Sequence, residues 1–147
     1  MKRWCTLVLC GLAAVATAAE FPEEDPKPFA EARVILQLSD ADERKQNLVL
    51  DVANNLIKHY GGPDMIDIEI IAFAQGIELL FADSPRSERV DSLVVSGVRF
   101  VACMNTVDTL ERVTGKRPVL TEHAIPVQTG VAHIVQRAGE GYTLVRP

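Results

Sequence analysis

The chain has 147 residues, with 20 acidic and 15 basic side chains and a net charge of −5 at pH 7. An acidic chain without a basic run is repelled by nucleic acid and by anionic lipid, so we exclude both as partners. Apolar residues make up 48% of the chain, which is enough to build the core of one domain.

The first 19 residues are typical of a secretory signal peptide. Lys2 and Arg3 form a charged start, and the apolar run over residues 7–16 is too short to span a bilayer comfortably. Small residues favour cleavage after Ala18 or Ala19. We therefore expect a periplasmic or secreted protein that is free of the membrane once the signal is removed.

Cleavage would remove Cys5 and Cys10 and leave Cys103 as the one thiol of the mature chain. Cys103 then has no partner in its own chain for a disulfide. Its presence is explained either by packing or by chemistry.

Residues 20–31 are acidic and contain several prolines, which predicts a linker, and residues 32–147 follow as one domain. The branched apolar run at 33–39 predicts the first strand. Asp40 and Glu43 have the spacing of a capping box and predict a helix start there. The helix continues with one apolar face and ends at the Gly-Gly-Pro of residues 61–63. That face consists of Leu48, Val52 and Leu56, with Val49, Ala53 and Ile57 beside them.

The alternation of strands and helices then repeats along the chain. Strands are predicted at 66–73, 98–103, 125–127 and 142–145. Helices are predicted at 76–81, from Ser84-Pro85 to Gly97, at 105–113 and at 130–138. This order predicts an α/β fold with helices on both faces of a mostly parallel sheet.

Ligands of such folds bind beyond the carboxyl ends of the strands. Three segments reach that edge, and they contribute these candidate site residues: Asp40 after the first strand, Gln75 and Gly76 after the second, and Cys103, Asn105 and Thr106 after the third. Cys103 also directly precedes a helix, whose free N–H groups favour a thiolate. The alternative is that Cys103 is a small buried apolar residue, as free cysteines often are.

Other sites receive less support. His59, His123 and His133 are too widely spaced to form a zinc motif with Cys103. His123 is the histidine expected nearest the strand-edge loops, but the favoured interpretation is a surface histidine with its hydrogen bonds satisfied. Neither a dinucleotide-binding motif nor a phosphate-binding loop is present, so we expect no metal and no cofactor. Asn105 and Thr106 are expected to cap the following helix, and the alternative is that they orient a substrate on Cys103.

Three blocks of the chain resemble the DsrE/DsrF-like family of small α/β proteins, which are named for sulfur-oxidation components. These blocks are VILQLS from Val34, IEIIAF from Ile68 and GVRFVACMNT from Gly97. The last is the most specific, because the family reads Ala-Cys-Gly/Val/Met-Asn-Thr at the positions of Ala102 to Thr106. The resemblance covers most of the mature chain.

The resemblance implies a three-layer α/β/α fold with a five-stranded sheet and a homo-oligomer, often a trimer or hexamer. It also implies that Cys103 receives sulfur as a persulfide and passes it on, as a sulfurtransferase or sulfur carrier does. This chain departs from the sulfur-relay proteins in its export signal and in lacking a separate partner subunit, so its sulfur donor and acceptor are unknown.

Two further functions remain open. In the first, the fold is a non-catalytic oligomeric module that binds a small molecule or partner, with Cys103 as a structural residue. In the second, Cys103 senses peroxide or redox state. That chemistry requires a resolving thiol from another subunit or a small molecule, because the mature chain has none.

Overall fold

A computed structural model describes residues 27–147; the predicted signal peptide, with Cys5 and Cys10, lies outside the described residues. A five-stranded sheet organises this part of the chain, with the strand order β4-β3-β2-β1-β5 and every neighbouring pair parallel. The strands are β1 (Ala32–Leu38), β2 (Ile66–Ala72), β3 (Arg99–Cys103), β4 (Ala124–Val127) and β5 (Thr143–Val145). The parallel α/β fold expected from the alternating pattern is confirmed.

Helices connect successive strands, as parallel pairing requires. The α-helices are α1 (Glu43–His59), α2 (Ser87–Val95), α3 (Met104–Thr114) and α4 (Gly130–Gly139), and a 3₁₀ helix spans Ala74–Leu80. Within residues 27–147, no helix combines the length and the apolar character needed to cross a membrane.

The two faces of the sheet are covered unequally. Side chains of β1 alternate between them, so that Val34 and Leu36 pack with α1, α2, α3 and the 3₁₀ helix, while Ile35 packs with α4. The α4 face has a much smaller apolar cluster, in which Ile134 is the buried apolar side chain that α4 supplies. This arrangement forms the three expected layers, and the layer built by α4 is thin.

The beginnings of α1 and α2 differ from the prediction. The N-cap of α1 is Asp42, whose Oδ1 accepts hydrogen bonds from the backbone N–H groups of Arg44 at 2.9 Å and Lys45 at 3.1 Å. Asp40 is therefore not the cap. Helix α2 begins at Ser87, because the segment at Ser84 forms a turn first.

The Val49 and Ala53 side of the predicted apolar face of α1 is the side that is buried. Leu48 is 45% exposed, whereas Val49, Leu50 and Ala53 are buried against the sheet. Val52 and Leu56 are partly buried at the edge of this contact. The buried side of α1 is therefore centred on the Val49–Ala53 pair, which has the i, i+4 spacing of one helical face.

The segment before β1 is bonded to the opposite edge of the sheet from the strands' carboxyl ends. The Nζ of Lys27 donates to the carbonyl oxygens of Pro63 at 2.6 Å and Ile66 at 3.2 Å. The backbone N–H of Glu31 donates to the carbonyl of Met65. Residues 27–31, the last part of the predicted linker, thus contact the amino end of β2.

Candidate functional site

Cys103 is the last residue of β3 and lies at the carboxyl edge of the sheet, as predicted. Its Sγ accepts a hydrogen bond from the backbone N–H of Gly130 at 3.3 Å and lies 3.9 Å from the carbonyl oxygen of Gln128, to which the thiol donates. The residue is buried, with 6% of its surface exposed. The sulfur is therefore enclosed between the end of β3 and the start of α4.

The helix end that contacts the sulfur belongs to α4 and not to α3. Cys103 occupies the N-cap position of α3, but its side chain makes no capping hydrogen bond there. Alternation along β3 places Cys103 with Val101 on the α4 face, whereas Phe100 and Ala102 face the layer that contains α3. The expectation that α3 supplies the N–H groups is wrong for this reason.

Asn105 connects the beginnings of α3 and α4. Its Nδ2 donates to Thr129 Oγ1 at 3.0 Å, its Oδ1 accepts from Gln128 Nε2 at 2.7 Å, and its backbone N–H donates to the Gln128 carbonyl at 3.0 Å. Asn105 is inside the first turn of α3 and does not cap it, contrary to the prediction. It holds the two residues that precede Gly130 and so helps to shape the surroundings of Cys103.

Thr106 connects the ends of β2 and β3. Its Oγ1 accepts a hydrogen bond from the backbone N–H of Ala74 at 3.1 Å, so Thr106 is also not a cap of α3. Ala74 has a φ of +49°, a left-handed conformation that is unfavourable for a residue with a Cβ. Gln75 follows it and is exposed at the same edge of the sheet.

Gly76 has a packing role. A Cβ at this position would lie 2.4 Å from the carbonyl oxygen of Leu38, so only glycine allows the 3₁₀ helix to approach the end of β1 this closely. The structure therefore explains Gly76 without a ligand.

Asp40 lies beyond the end of β1, two strands away from Cys103. Its carboxylate forms an ion pair with Lys45 Nζ at 2.7 Å. The hydrogen bond from Lys45 lowers the pKa of Asp40, and the charge of Arg146 acts in the same direction. Asp40 thus belongs to a separate polar group at the carboxyl end of β1.

His123 and His133 lie in different parts of the fold. His123 precedes β4 and so lies at the amino edge of the sheet, where its Nε2 is 3.4 Å from Asp91 Oδ1. His123 therefore lies away from the strand-edge loops, partly exposed and beside Asp91. His133 projects from α4 toward the sheet, and its Nε2 lies 2.8 Å from Glu69 Oε2.

Glu69 belongs to a buried ionic cluster between the sheet and α4, which is not among the sites predicted from the sequence. Arg99 lies at its centre, with Nη1 2.8 Å from Asp67 Oδ1 and with Nε and Nη2 3.1 and 3.0 Å from Glu69 Oε1. Asp67 and Glu69 are 0% and 1% exposed. The strand register places Glu69 directly opposite Arg99, which allows one guanidinium to serve both carboxylates.

Tyr142 completes this cluster from the loop before β5. Its hydroxyl donates to Asp67 Oδ2 and accepts from Arg99 Nη2 at 2.9 Å. Burial, together with the hydrogen bond to Asp67, raises the pKa of Tyr142 to about 12. Burial opposes ionisation of Asp67 and Glu69 as well, but their hydrogen-bonded and cationic neighbours outweigh it, so the pKa of each carboxyl is lowered.

A sequence signal for this cluster existed. Asp67 and Glu69 alternate with isoleucines within a strand that is buried along its whole length, and Arg99 begins the next strand. Acidic residues in a buried strand require a cation or donors on a neighbouring element. Without the register, however, the sequence does not indicate which basic residue meets them.

A cleft of about 620 Å³ lies away from these residues, beside the carboxyl-terminal half of α3. It is lined by Phe81, Ala82, Asp83, Leu110, Thr114, Lys116, Pro118 and Val119. Backbone hydrogen bonds between residues 80–82 and 119–121 close one of its sides. None of the candidate residues from the sequence lines this cleft.

Comparison with known proteins identifies a structural relative. No protein-family model matches the chain, and no curated protein matches it. Among solved structures, a protein of unknown function, MTH1491 from Methanobacterium thermoautotrophicum, matches with 33% sequence identity and a TM-score of 0.69. The match covers 80% of this chain and 100% of that one. The chain therefore belongs to the same family as MTH1491.

Proposed function

We propose that the protein is a sulfurtransferase or sulfur carrier that holds sulfane sulfur as a persulfide on Cys103. This is the role that the resemblance to the DsrE/DsrF-like family implies. The observation that carries this proposal is the position of Sγ, at the carboxyl edge of a parallel sheet and 3.3 Å from the N–H of Gly130. This N–H begins α4, and the N-terminus of a helix stabilises a negatively charged group. Both the thiolate and the persulfide anion are such groups.

The polar groups around the thiol are uncharged. Asn105, Gln128 and Thr129 form a hydrogen-bonded group beside it, and exposed Gln75 lies at the end of the neighbouring strand. These side chains can donate hydrogen bonds to an inorganic sulfur anion. Because these side chains carry no charge, the N-terminus of α4 is the main source of positive potential beside the sulfur.

The chemistry needs no added oxidant. The Cys103 thiolate attacks the outer sulfur of a donor such as a polysulfide or thiosulfate, which forms a new S–S bond as the S–S bond of the donor breaks. The donor fragment leaves with the electron pair, as a shorter polysulfide or as sulfite. An acceptor thiolate then attacks the outer sulfur of the persulfide and restores the Cys103 thiolate.

Mass spectrometry tests the proposal directly. The protein is incubated with polysulfide or with thiosulfate, and peptide mapping locates the adduct because the full chain also contains Cys5 and Cys10. We expect the Cys103 peptide to gain the mass of one sulfur atom, and the Cys103→Ser protein to gain none there. No gain on Cys103 in the wild type would overturn the proposal.

The burial of Cys103 favours a second candidate, a binding module in which the cysteine is structural. Its Sγ accepts a hydrogen bond from the N–H of Gly130 and donates one to the carbonyl of Gln128, and the cleft of about 620 Å³ is lined by other residues. Alkylation kinetics distinguish the two functions. A thiol that reacts only when the whole protein unfolds supports the binding module, and one that reacts under native conditions supports sulfur carriage.

We further propose a homo-oligomer exported to the periplasm or the exterior. Exposed Val131 and Val135 on α4, and exposed Leu144 on the edge strand β5, provide apolar surface for contact between copies. Light scattering coupled to size exclusion measures the subunit number, and a monomeric mass would contradict the proposal. N-terminal sequencing of the exported protein tests cleavage near Ala18 or Ala19.

A further inference from the structure

We propose that Glu69 clamps α4 onto the sheet through His133 and Arg137, and that this clamp controls how often the Cys103 thiol becomes accessible. The three residues are referred to below as the Glu69 clamp. The inference rests on the proposed function, in which Cys103 is the reacting residue. It assigns to Glu69, His133 and Arg137 the role of positioning residues.

The geometry of the Glu69 clamp links one buried carboxylate to two turns of α4. Oε2 of Glu69 lies 2.8 Å from His133 Nε2, and Oε1 lies 3.1 Å from Arg137 Nε. The two α4 residues are four positions apart and so project from the same side of the helix. Their side chains are only 14% and 19% exposed, so water screens these contacts weakly.

Few other contacts hold α4 in place. Ile134 is its buried apolar side chain, while Val131 and Val135 point outward and are 54% and 68% exposed. The other helical layer is held by a far larger apolar cluster. The attachment of α4 to the sheet therefore depends largely on polar contacts. On this face of the sheet, we expect separation of α4 to be the local unfolding event that requires the least free energy.

The same helix encloses the thiol. Gly130, the first residue of α4, donates its N–H to Sγ, and His133 is three residues further along. A movement that releases the first turn of α4 from Cys103 must also disturb the contact of His133 with Glu69. Breaking the Glu69 clamp and exposing Sγ are therefore parts of one motion.

Glu69 itself cannot move with α4. It is held on β2 by Arg99, which also binds Asp67 and Tyr142, and Asp67, Glu69 and Arg99 lie on central strands of the sheet. Opening thus leaves the carboxylate on the sheet with Arg99 and withdraws only the α4 partners. The two contacts of His133 and Arg137 with Glu69 therefore add to the cost of opening, beside the burial of Ile134 and the contact of Gly130 with Sγ.

The experiment measures alkylation of Cys103 by iodoacetamide, with peptide mapping to isolate that residue. The rate in the native protein divided by the rate in the denatured protein measures the open fraction. We compare His133→Leu, which removes the donor, with His133→Gln, which keeps an N–H donor of similar reach. Gln136→Leu serves as the matched control, because Gln136 is exposed and bonds to Glu140 instead of the sheet.

We expect His133→Leu to raise the open fraction about tenfold, which corresponds to about 1.4 kcal/mol. His133→Gln should restore most of the wild-type protection, and Gln136→Leu should leave it unchanged. The rate in the wild type should depend less steeply on urea than global unfolding does, because only α4 is exposed. If His133→Leu does not fold, Arg137→Met is predicted to raise the open fraction in the same direction.

An unchanged rate in His133→Leu, an equal rise in Gln136→Leu, or a urea dependence equal to that of global unfolding would overturn the inference. The iodoacetamide assay requires no sulfur transfer, so the two proposals can fail separately. If the alkylation rates of the variants agree with the prediction but Cys103 takes up no sulfur from polysulfide, the role of the Glu69 clamp is supported and the proposed function is rejected. Sulfur uptake with identical alkylation rates in all variants would do the reverse.

Discussion

The backbone N–H of Gly130 points at the sulfur of Cys103 from 3.3 Å, although 27 positions separate the two residues in the chain. Glycine at the start of α4 leaves room for this contact. A Cβ on Gly130 would lie 3.1 Å from Cys103 Cβ, 3.5 Å from Sγ and 3.6 Å from Ile71 Cδ1. Both neighbours belong to central strands, so we expect the start of α4 to shift by a few tenths of an ångström to relieve the crowding.

The first prediction follows from this contact. Gly130→Ala should lower the free energy of unfolding by about 1 kcal/mol through crowding and should speed alkylation of Cys103, because α4 is displaced. The control is Gly139→Ala at the other end of the helix, where a Cβ would meet nothing within 4 Å. That variant should be neutral or stabilising by up to about 1 kcal/mol. Equal stability and equal alkylation in the two variants would contradict the prediction.

The second prediction concerns the centre of the buried ionic cluster. Arg99→Met leaves the carboxylates of Asp67 and Glu69 buried without their shared cation, and we expect a loss of about 3–5 kcal/mol in urea denaturation. Arg112 is exposed and bonds only to Thr109 on its own helix, so Arg112→Met should change stability by less than about 0.5 kcal/mol. A small effect of Arg99→Met would mean that the carboxylates find other partners or take up protons.

The third prediction concerns ionisation of Tyr142, whose pKa is raised to about 12 by burial and by the hydrogen bond to Asp67. Because the folded-state pKa is above the unfolded value, the resulting stabilisation is complete below about pH 10 and is lost as the pH rises toward 12. Its size is on the order of 2 to 3 kcal/mol. Absorbance titration should show a late tyrosinate transition that is absent in Tyr142→Phe.

Tyr60 provides the control for this titration, since it is the other tyrosine of the chain and forms no part of the cluster. Tyr60→Phe should leave the late transition in place. If the late transition instead disappears in Tyr60→Phe and persists in Tyr142→Phe, the assignment is wrong.

The fourth prediction concerns the strained backbone beside the site. Ala74 has a φ of +49°, so Ala74→Gly should relieve strain and stabilise the protein by about 1 kcal/mol. Thr106→Val removes the acceptor of the Ala74 N–H and should destabilise by about 1 kcal/mol, whereas Thr106→Ser keeps the hydroxyl and should be milder. Thermal or urea denaturation measures all three variants, and destabilisation by Ala74→Gly would show that the strain is not relieved.

The sequence by itself determined the sheet and the position of Cys103 along it. Continuous apolar runs separated by helical patterns require parallel strands with both faces covered, and the structure has such a sheet. The run that ends at Cys103 is followed at once by a helix, which places the residue at the carboxyl edge. These conclusions depend only on local patterns of apolar residues.

The tertiary structure alone decided which groups meet the sulfur and what holds them. Alternation of side chains along β3 determines the face of the sheet to which Cys103 points. Which helix covers that face depends on packing, and the helix is α4 and not α3. In the same way, the register of β2 and β3 brings Arg99 opposite Glu69, and α4 then adds His133. Contacts between residues far apart in the chain depend on the face of the sheet against which each helix packs and on the register of neighbouring strands. Neither is encoded in a local pattern of residues.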